Sequence, residues 1–273
     1  MSLSIGLEAL NKSRVVVEGS FESNYADFLE SYSRVQEAAQ KGVELFTALE
    51  NINAIKKTVK QFGFTKSMES LIGHQLGSTR ASVEEEATKA GRGLWQKIVD
   101  WFKKMWRYVK DFFAKLANTR RGVMLKLKAI KNGKYTVKSD TATFEGLSAA
   151  DIKSVAGSFT AVTMEKVMSS DPGALTSVPE LATIKLSAGQ VKEYAGLALD
   201  ACQGFDQAEK AMKKMLEVGI KMAQNGINKP SEDIAAAREV KATAGALVAD
   251  VSKGVKRVFV SAKNFVKYVK KAG

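Results

Sequence analysis

Cysteine and histidine supply many of the nucleophiles and metal ligands of proteins, and this 273-residue chain has one of each, Cys202 and His74. A structural zinc site needs about four such ligands, and a disulfide within the chain needs a second cysteine. The sequence also lacks glycine-rich phosphate loops, the GxSxG nucleophile elbow and the HExxH zinc helix. Carboxylates are plentiful, but no spacing selects a catalytic pair. We therefore predict a protein that is not an enzyme and that holds no cofactor or metal ion.

Charge is the chemistry that the sequence does offer, and it is unevenly distributed. The chain has a formal net charge of +13. Residues 91–138 carry +12 and residues 252–273 carry +7, whereas residues 1–90 (−2) and 139–251 (−4) are slightly acidic. Lysines that serve only solubility would be spread along the chain. Two concentrated basic segments instead predict contact with a polyanion, which is nucleic acid, an anionic membrane or an acidic protein surface.

In both basic segments, the cations repeat at helical spacing opposite an apolar stripe, which predicts amphipathic helices with one basic face. Such a face can neutralise phosphate without reading a base sequence. In the first segment, the candidate polyanion-binding residues are Lys97, Lys103, Lys104, Arg107, Lys110, Arg120 and Arg121. In the second segment, they are Lys253, Lys256, Arg257, Lys263, Lys267 and Lys270.

The helix predicted over residues 91–118 is the most distinctive element, because it contains all three tryptophans. Its aromatic stripe has two interpretations. It is the core face of a bundle helix, or it inserts among lipid headgroups, because tryptophan opposite lysine and arginine is typical of an interfacial helix. Within this helix, we predict that Trp101 lies on the flank of the stripe and is more exposed than Trp95, Phe102 and Trp106.

The hydrophobic periodicity predicts a mainly α fold, a multi-helix bundle with a long C-terminal αα-hairpin and at most a few short strands. Residues 1–90 form an N-terminal helical region. Residues 91–147 contain the basic aromatic helix and an extended or hairpin connector. Residues 148–273 form a C-terminal helical region that ends in a basic amphipathic helix.

In the N-terminal region, the pattern predicts a helix from Phe21 to Phe62, with Gly42 as a candidate break between two halves. The β-branched run around Val16 predicts a short extended lead-in. The acidic residues 84–86 are interpreted either as a loop or as the first turn of the following helix.

Residues 119–147 have two interpretations. Either Asn132 and Gly133 form the turn of a β-hairpin, or the preceding helix continues to this pair and an extended stretch follows from Tyr135 to Phe144. We favour the helix, because a lone hairpin is marginally stable in water.

Further along the chain, two serines and a turn predict the helix bounds. Ser148 begins one helix, and Ser187 caps a longer helix that runs to about Gln224. After a turn at residues 225–230, the last helix runs to Lys271.

Three stretches occur in an order shared with a group of phage proteins. They are the opening VVVEGSFE from Val15 to Glu22, the block ALENINAIKKTVKQFGFTKSMESL from Ala48 to Leu71, and the tryptophan- and lysine-rich helix after residue 91. The stretch FEGLSAADIKSVAG adds to them more weakly. On these residues, the sequence resembles internal head or virion structural proteins of very large tailed bacteriophages.

This resemblance implies a non-enzymatic component of the phage particle, packed with the genome or beneath the capsid. It also implies trimming by a virus-encoded protease that cleaves after a glutamate with a small residue two positions earlier. Candidate cleavage sites of this kind follow Glu22, Glu50 and Glu84.

We therefore predict a virion protein that contacts packaged DNA or other virion proteins through basic helical faces. One alternative is a membrane-active protein that uses the tryptophan-rich helix on an anionic membrane surface. Another is a host-interaction protein made during infection and located in the host cytoplasm. No segment has the ~18 consecutive apolar residues of a membrane-spanning helix, and the N-terminus lacks the pattern of a secretory signal.

Overall fold

Long helices account for most of the chain, as the sequence predicts. The structure is a computed structural model that describes residues 2–62, 83–161, 178–228 and 246–272. The helices are α1 (Ser2–Phe62), α2 (Val83–Asn132), α3 (Ala149–Ala161), α4 (Val191–Gln203), α5 (Phe205–Asn228) and α6 (Ala246–Tyr268). The strands are β1 (Tyr135–Val137), β2 (Phe144–Gly146), β3 (Ala182–Ile184) and β4 (Val269–Lys271). The predicted mainly α fold is confirmed.

The short strands form two antiparallel pairs between parts of the chain that are distant in sequence. β1 pairs with β4, so that Val137 lies opposite Val269, and β2 pairs with β3. The alternative of a local hairpin at Asn132 and Gly133 is therefore wrong. The last helix also ends earlier than predicted, at Tyr268, because the following residues extend to pair with β1.

α1 is one continuous helix, and two expectations about it are wrong. The run around Val16 is helical, since helix propensities differ by less than ~1 kcal/mol per residue and weigh little within a long helix. Gly42 does not break the helix. α1 is helical as far as Phe62, and the residues that follow, including the predicted helix end at Gly63 and His74, lie outside the described residues.

α2 runs to Asn132, which confirms the favoured helical interpretation. Residues 84–86, for which a loop was the other interpretation, lie within α2. α3 begins where Ser148 predicts, because the Ser148 hydroxyl accepts a hydrogen bond from the Asp151 amide at 3.1 Å. α2 also crosses the predicted boundary between residues 90 and 91.

The helix predicted after Ser187 is interrupted. The Ser187 amide donates to the Gln190 side-chain oxygen at 2.9 Å, and a 3-10 turn at Ala188–Gln190 leads into α4. Gly204 then separates α4 from α5, and its amide donates to the carbonyls of Asp200 and Ala201. α5 continues to Asn228, beyond the turn predicted from residue 225.

One hydrophobic core takes residues from all three predicted regions, with α2 at its centre. α2 packs against α1 on one side and against α4 and α5 on the other. The ring of Phe28 in α1 lies 5.3 Å from that of Phe112, and the ring of Phe46 lies 5.9 Å from that of Trp101, so α1 and α2 run antiparallel. The two helices of the predicted hairpin, α5 and α6, contact each other, but α5 packs more extensively on α2.

Three aromatic rings of α2 lie directly over glycines of neighbouring helices. A Cβ atom added to Gly42 of α1 would lie 2.3 Å from a ring atom of Trp101. A Cβ atom added to Gly219 of α5 would lie 2.4 Å from a ring atom of Phe102. One added to Gly226 would lie 2.5 Å from a ring atom of Trp95. These glycines permit close approach of the rings to the helix backbones.

Cys202 lies in α4 and is fully buried, as a small residue of the core. Burial raises the pKa of its thiol to about 12, with a smaller opposing effect of Arg120. The thiol is therefore protonated at neutral pH and is not a nucleophile.

Candidate polyanion-binding surface

Six of the predicted cations form a row on the solvent side of α2, which we call the α2 basic stripe. Each of the six side chains is exposed. In the part of the chain that the structure describes, no carboxylate lies within salt-bridge distance of any of them. The stripe consists of Lys97, Lys103, Lys104, Arg107, Lys110 and Arg121.

Two exposed cations of the stripe lie beside aromatic rings. The Lys104 ammonium lies 5.6 Å from the centre of the Tyr108 ring, and that of Lys110 lies 5.7 Å from the Trp106 ring. These contacts orient the lysines without neutralising them. Their charges are therefore still available to an anion from outside.

The two acidic residues between positions 91 and 138 do not neutralise the stripe. Asp100 accepts a hydrogen bond from Gln96 at 3.2 Å. Asp111 lies 3.6 Å from Lys115 and 4.0 Å from Arg34, both of which are outside the stripe. The stripe therefore keeps nearly all of its positive charge.

Arg120 was predicted to belong to this surface, but it has a partner within the protein. Its guanidinium donates to both carboxylate oxygens of Asp206 in α5, at 2.8 and 3.3 Å. The two-bond geometry is the stronger form of an arginine–carboxylate pair. Arg120 therefore joins α2 to α5.

Two further cations, Lys126 and Lys128, extend the stripe and are absent from the predicted set. Both are exposed on α2. Beyond residue 118 the sequence pattern leaves a hairpin and a continuing helix open, and only a continuous helix puts both lysines on the exposed surface of α2. At 1.5 Å per residue, the surface from Lys97 to Lys128 is about 46 Å long.

The second basic segment is different, because its cations meet carboxylates brought from distant parts of the chain. Arg257 is buried and donates to the carbonyls of Val178 and Pro179. It also pairs with the carboxylate of Glu180, which lies 3.6 Å from Lys253.

The other end of α6 is engaged in the same way. The ammonium of Lys263, which is also buried, lies 3.1 Å from the centre of the Tyr25 ring and 4.0 Å from Glu22. Lys267 lies 3.4 Å from the same carboxylate. Burial lowers the pKa of Lys263, and the Glu22 charge opposes that shift.

The interpretation of α6 as a helix with a solvated basic face is therefore wrong. Lys256 is half-buried over the Tyr32 ring. Lys270 is exposed, but it lies on β4 and not on a helix. Helical periodicity describes the faces of one helix, whereas the carboxylates that cover this face lie on α1 and in the connection before β3.

The aromatic stripe of α2 is the centre of the core. Trp101 is 6% exposed, and its indole nitrogen donates to the Ala38 carbonyl of α1. Trp95 and Phe102 are also buried, while Trp106 is only partly buried. The prediction that Trp101 is more exposed than Trp106 is wrong, because α1 covers the flank on which Trp101 lies.

Burial of the aromatic stripe leaves it unavailable to a membrane while the protein is folded. None of the helices in the described ranges is long and apolar enough to cross a bilayer. We expect tryptophan emission that is already blue-shifted and protected from aqueous quenchers in buffer, because two of the three indoles are buried and the third is partly buried. Addition of anionic vesicles should leave the emission unchanged. A further blue shift with vesicles would show that α2 leaves the core.

The three candidate cleavage sites all lie within helices. Glu22 and Glu50 are in α1, and Glu84 is in α2. Proteases cleave extended and accessible segments, so cleavage at these glutamates requires local opening of the helix. Processing stays a prediction.

Residues 29–159 match the family model of phiKZ-like phage internal head proteins. This match confirms the resemblance predicted from the sequence, and with it the localisation inside the phage head, within the virion. A structural role in the head agrees with the predicted non-enzymatic function. No curated protein and no solved structure matches the chain.

Proposed function

We propose that this internal head protein contacts packaged DNA through the α2 basic stripe and binds phosphate without sequence preference. The observation that carries the proposal is the row of exposed cations without carboxylate partners along about 46 Å of one rigid helix. Duplex DNA carries one negative charge per ~1.7 Å of its axis, so a row of this length can neutralise several phosphates.

The family match supports this assignment of the surface. Residues 29–159 include the whole stripe from Lys97 to Lys128 but none of α6. The segment that resembles internal head proteins is therefore the one whose cations face solvent.

The surface composition favours DNA over a protein partner. Stable protein interfaces have an apolar core surrounded by a polar rim. Among the residues that the structure describes, only Val43 and Leu125 are large hydrophobic side chains with substantial exposure, and they lie on different helices. In the described part of the chain, the cations are therefore accompanied by one exposed large hydrophobic side chain, Leu125, and not by a broad apolar surface.

An acidic virion protein is the second candidate partner, and Leu125 is the observation that favours it. This side chain is 63% exposed and borders a groove with Arg121, Lys128 and Leu199. An acidic segment with one apolar anchor fits that groove. It would compete with DNA for the same cations.

Binding of the full chain to duplexes of about three helical turns tests the proposal. If ~6–10 phosphates are contacted, affinity should fall about 10³- to 10⁵-fold between 50 and 200 mM salt. Two duplexes of unrelated sequence should bind equally. Absence of binding at 50 mM salt, or affinity that does not change with salt, would contradict DNA contact and favour the acidic protein partner.

A further inference from the structure

A cavity of about 230 Å³ lies beside α6, away from the α2 basic stripe. It is several times larger than the ~30 Å³ that one water molecule occupies in the liquid. Elements from four parts of the chain meet around it. The polar and aromatic side chains that line it are Tyr32 of α1, Glu145 of β2, Glu180 of the connection before β3, and Lys253, Lys256 and Arg257 of α6.

The three cations lie within one turn of α6, so they converge on one side of the cavity. Arg257 is held in place by the carbonyls of Val178 and Pro179. Its guanidinium also pairs with Glu180, and Lys253 lies 3.6 Å from the same carboxylate. Glu180 therefore pairs with two of the three cations.

Lys256 is the third cation, and no described carboxylate lies within salt-bridge distance of it. Its ammonium lies 4.2 Å from the centre of the Tyr32 ring. Burial lowers its pKa, and the neighbouring charge of Arg257 lowers it further. A half-buried ammonium that lines a cavity without an anionic partner marks a place where an anion would be stabilised.

We propose that this cavity binds a phosphoryl group. In the absence of that group, the Glu180 carboxylate of the same chain pairs with Arg257, and the phosphoryl group displaces it. Arginine recognises carboxylate and phosphate through the same fork of parallel hydrogen bonds. The Glu180 side chain is 81% exposed, so it can swing into solvent without leaving a buried charge behind.

Charge and anchoring both favour the exchange. Three cations face two carboxylates, Glu180 and Glu145, and they face only Glu145 once Glu180 has moved. A phosphate carries up to two negative charges and more acceptor oxygens than a carboxylate. The connection before β3 would stay in place, because Arg257 binds its backbone carbonyls as well as the Glu180 side chain.

The phosphoryl group has two sources, free phosphate and the backbone of packaged DNA. Titration of the full chain with inorganic phosphate tests the first without reference to the α2 basic stripe. Glu180→Gln removes the competing charge and should tighten phosphate binding about two- to fivefold, the range measured for exposed ion pairs. Lys256→Gln should weaken it about tenfold or more.

Glu22→Gln is the matched control. It raises the net charge by the same amount and frees Lys267 on the same helix, but it lies outside the cavity. Phosphate affinity should equal that of the unaltered chain. An equal gain in Glu22→Gln and Glu180→Gln would show a general charge effect and would overturn the site. Circular dichroism and thermal melts verify that each variant is folded.

A second titration identifies the source of the phosphoryl group. It uses duplex DNA and a chain in which Lys103, Arg107, Lys110 and Arg121 are already glutamine. A gain in duplex affinity on adding Glu180→Gln would support the site with DNA as its ligand, whereas a gain confined to inorganic phosphate would support it with free phosphate. No gain in either titration would overturn the proposal, whether or not the α2 basic stripe binds DNA.

Discussion

Replacing Lys103, Arg107, Lys110 and Arg121 together by glutamine is expected to weaken duplex binding roughly 10²- to 10⁴-fold at 50 mM salt. Each cation that neutralises a phosphate contributes about −0.9 to the slope of log affinity against log salt, so the slope should become shallower by up to ~3.6. All four side chains are exposed and have no carboxylate partner among the described residues, so the fold should be unaffected. Fluorescence anisotropy at a series of salt concentrations measures both quantities.

The chain offers a control with the same change in net charge. Lys192, Lys210, Lys214 and Lys221 are exposed on α4 and α5, where acidic residues lie among them. Replacing these four by glutamine should change affinity by less than about tenfold, through the weak long-range effect of net charge. Equal losses in the two variants would show that DNA responds to total charge and not to the α2 basic stripe.

The course of α2 could be predicted from the sequence because its signals are local. Apolar residues recur every three to four positions, and Gly133 follows the last helical residue. The function of its aromatic stripe could not be predicted in the same way. A core face and a lipid-facing surface have the same periodicity, and only the packing of α1, α4 and α5 distinguishes them.

The exposure of Trp101 was predicted wrongly for a related reason. A periodicity argument centres the buried face on the densest apolar stripe and assumes one packing direction. α2 packs against α1 on one side and against α4 and α5 on the other, so the buried arc is wider than the stripe. The adjacent residues Trp101 and Phe102 are both buried, with ring centres 4.6 Å apart.

The candidate site shows the same limit. Six of the seven α2 cations predicted to face solvent do so, since their own helix decides their exposure, whereas Arg120 pairs with Asp206. The same periodicity predicts a solvent-facing row on α6, but there the exposure of the cations depends on residues from other parts of the chain. Glu22 and Glu180 are distant from α6 in sequence, and no local pattern indicates that they pair with its cations.

Trp101→Ala is expected to lower the free energy of unfolding by about 3–5 kcal/mol, the cost of truncating a buried aromatic residue. The indole packs edge-on against Phe46, and its nitrogen donates to Ala38, so both a contact and a hydrogen bond are lost. Trp106→Ala should cost less, because Trp106 is only partly buried. Chemical denaturation of the two variants gives the order, and a larger cost for Trp106→Ala would contradict the packing of α1 on α2.

Gly42 provides an independent test of that packing. Alanine favours helix over glycine by about 1 kcal/mol, so Gly42→Ala would stabilise α1 if the position were open. Its Cβ would instead lie 2.3 Å from the Trp101 ring, and overpacking of this kind costs typically 1–3 kcal/mol. Gly122→Ala is the control, because it lies in a helix with no atom within 4 Å of an added Cβ, and it should stabilise the protein.

A double-mutant cycle separates this contact from a general effect on α1. In the Trp101→Ala background the ring is absent, so Gly42→Ala should no longer destabilise and should show only the gain in helix propensity. The two substitutions together should therefore cost less than the sum of their separate costs. Additive costs would mean that Trp101 and Gly42 do not touch. α2 would then be rotated about its own axis relative to α1. The exposure assigned to the α2 basic stripe would be wrong as well.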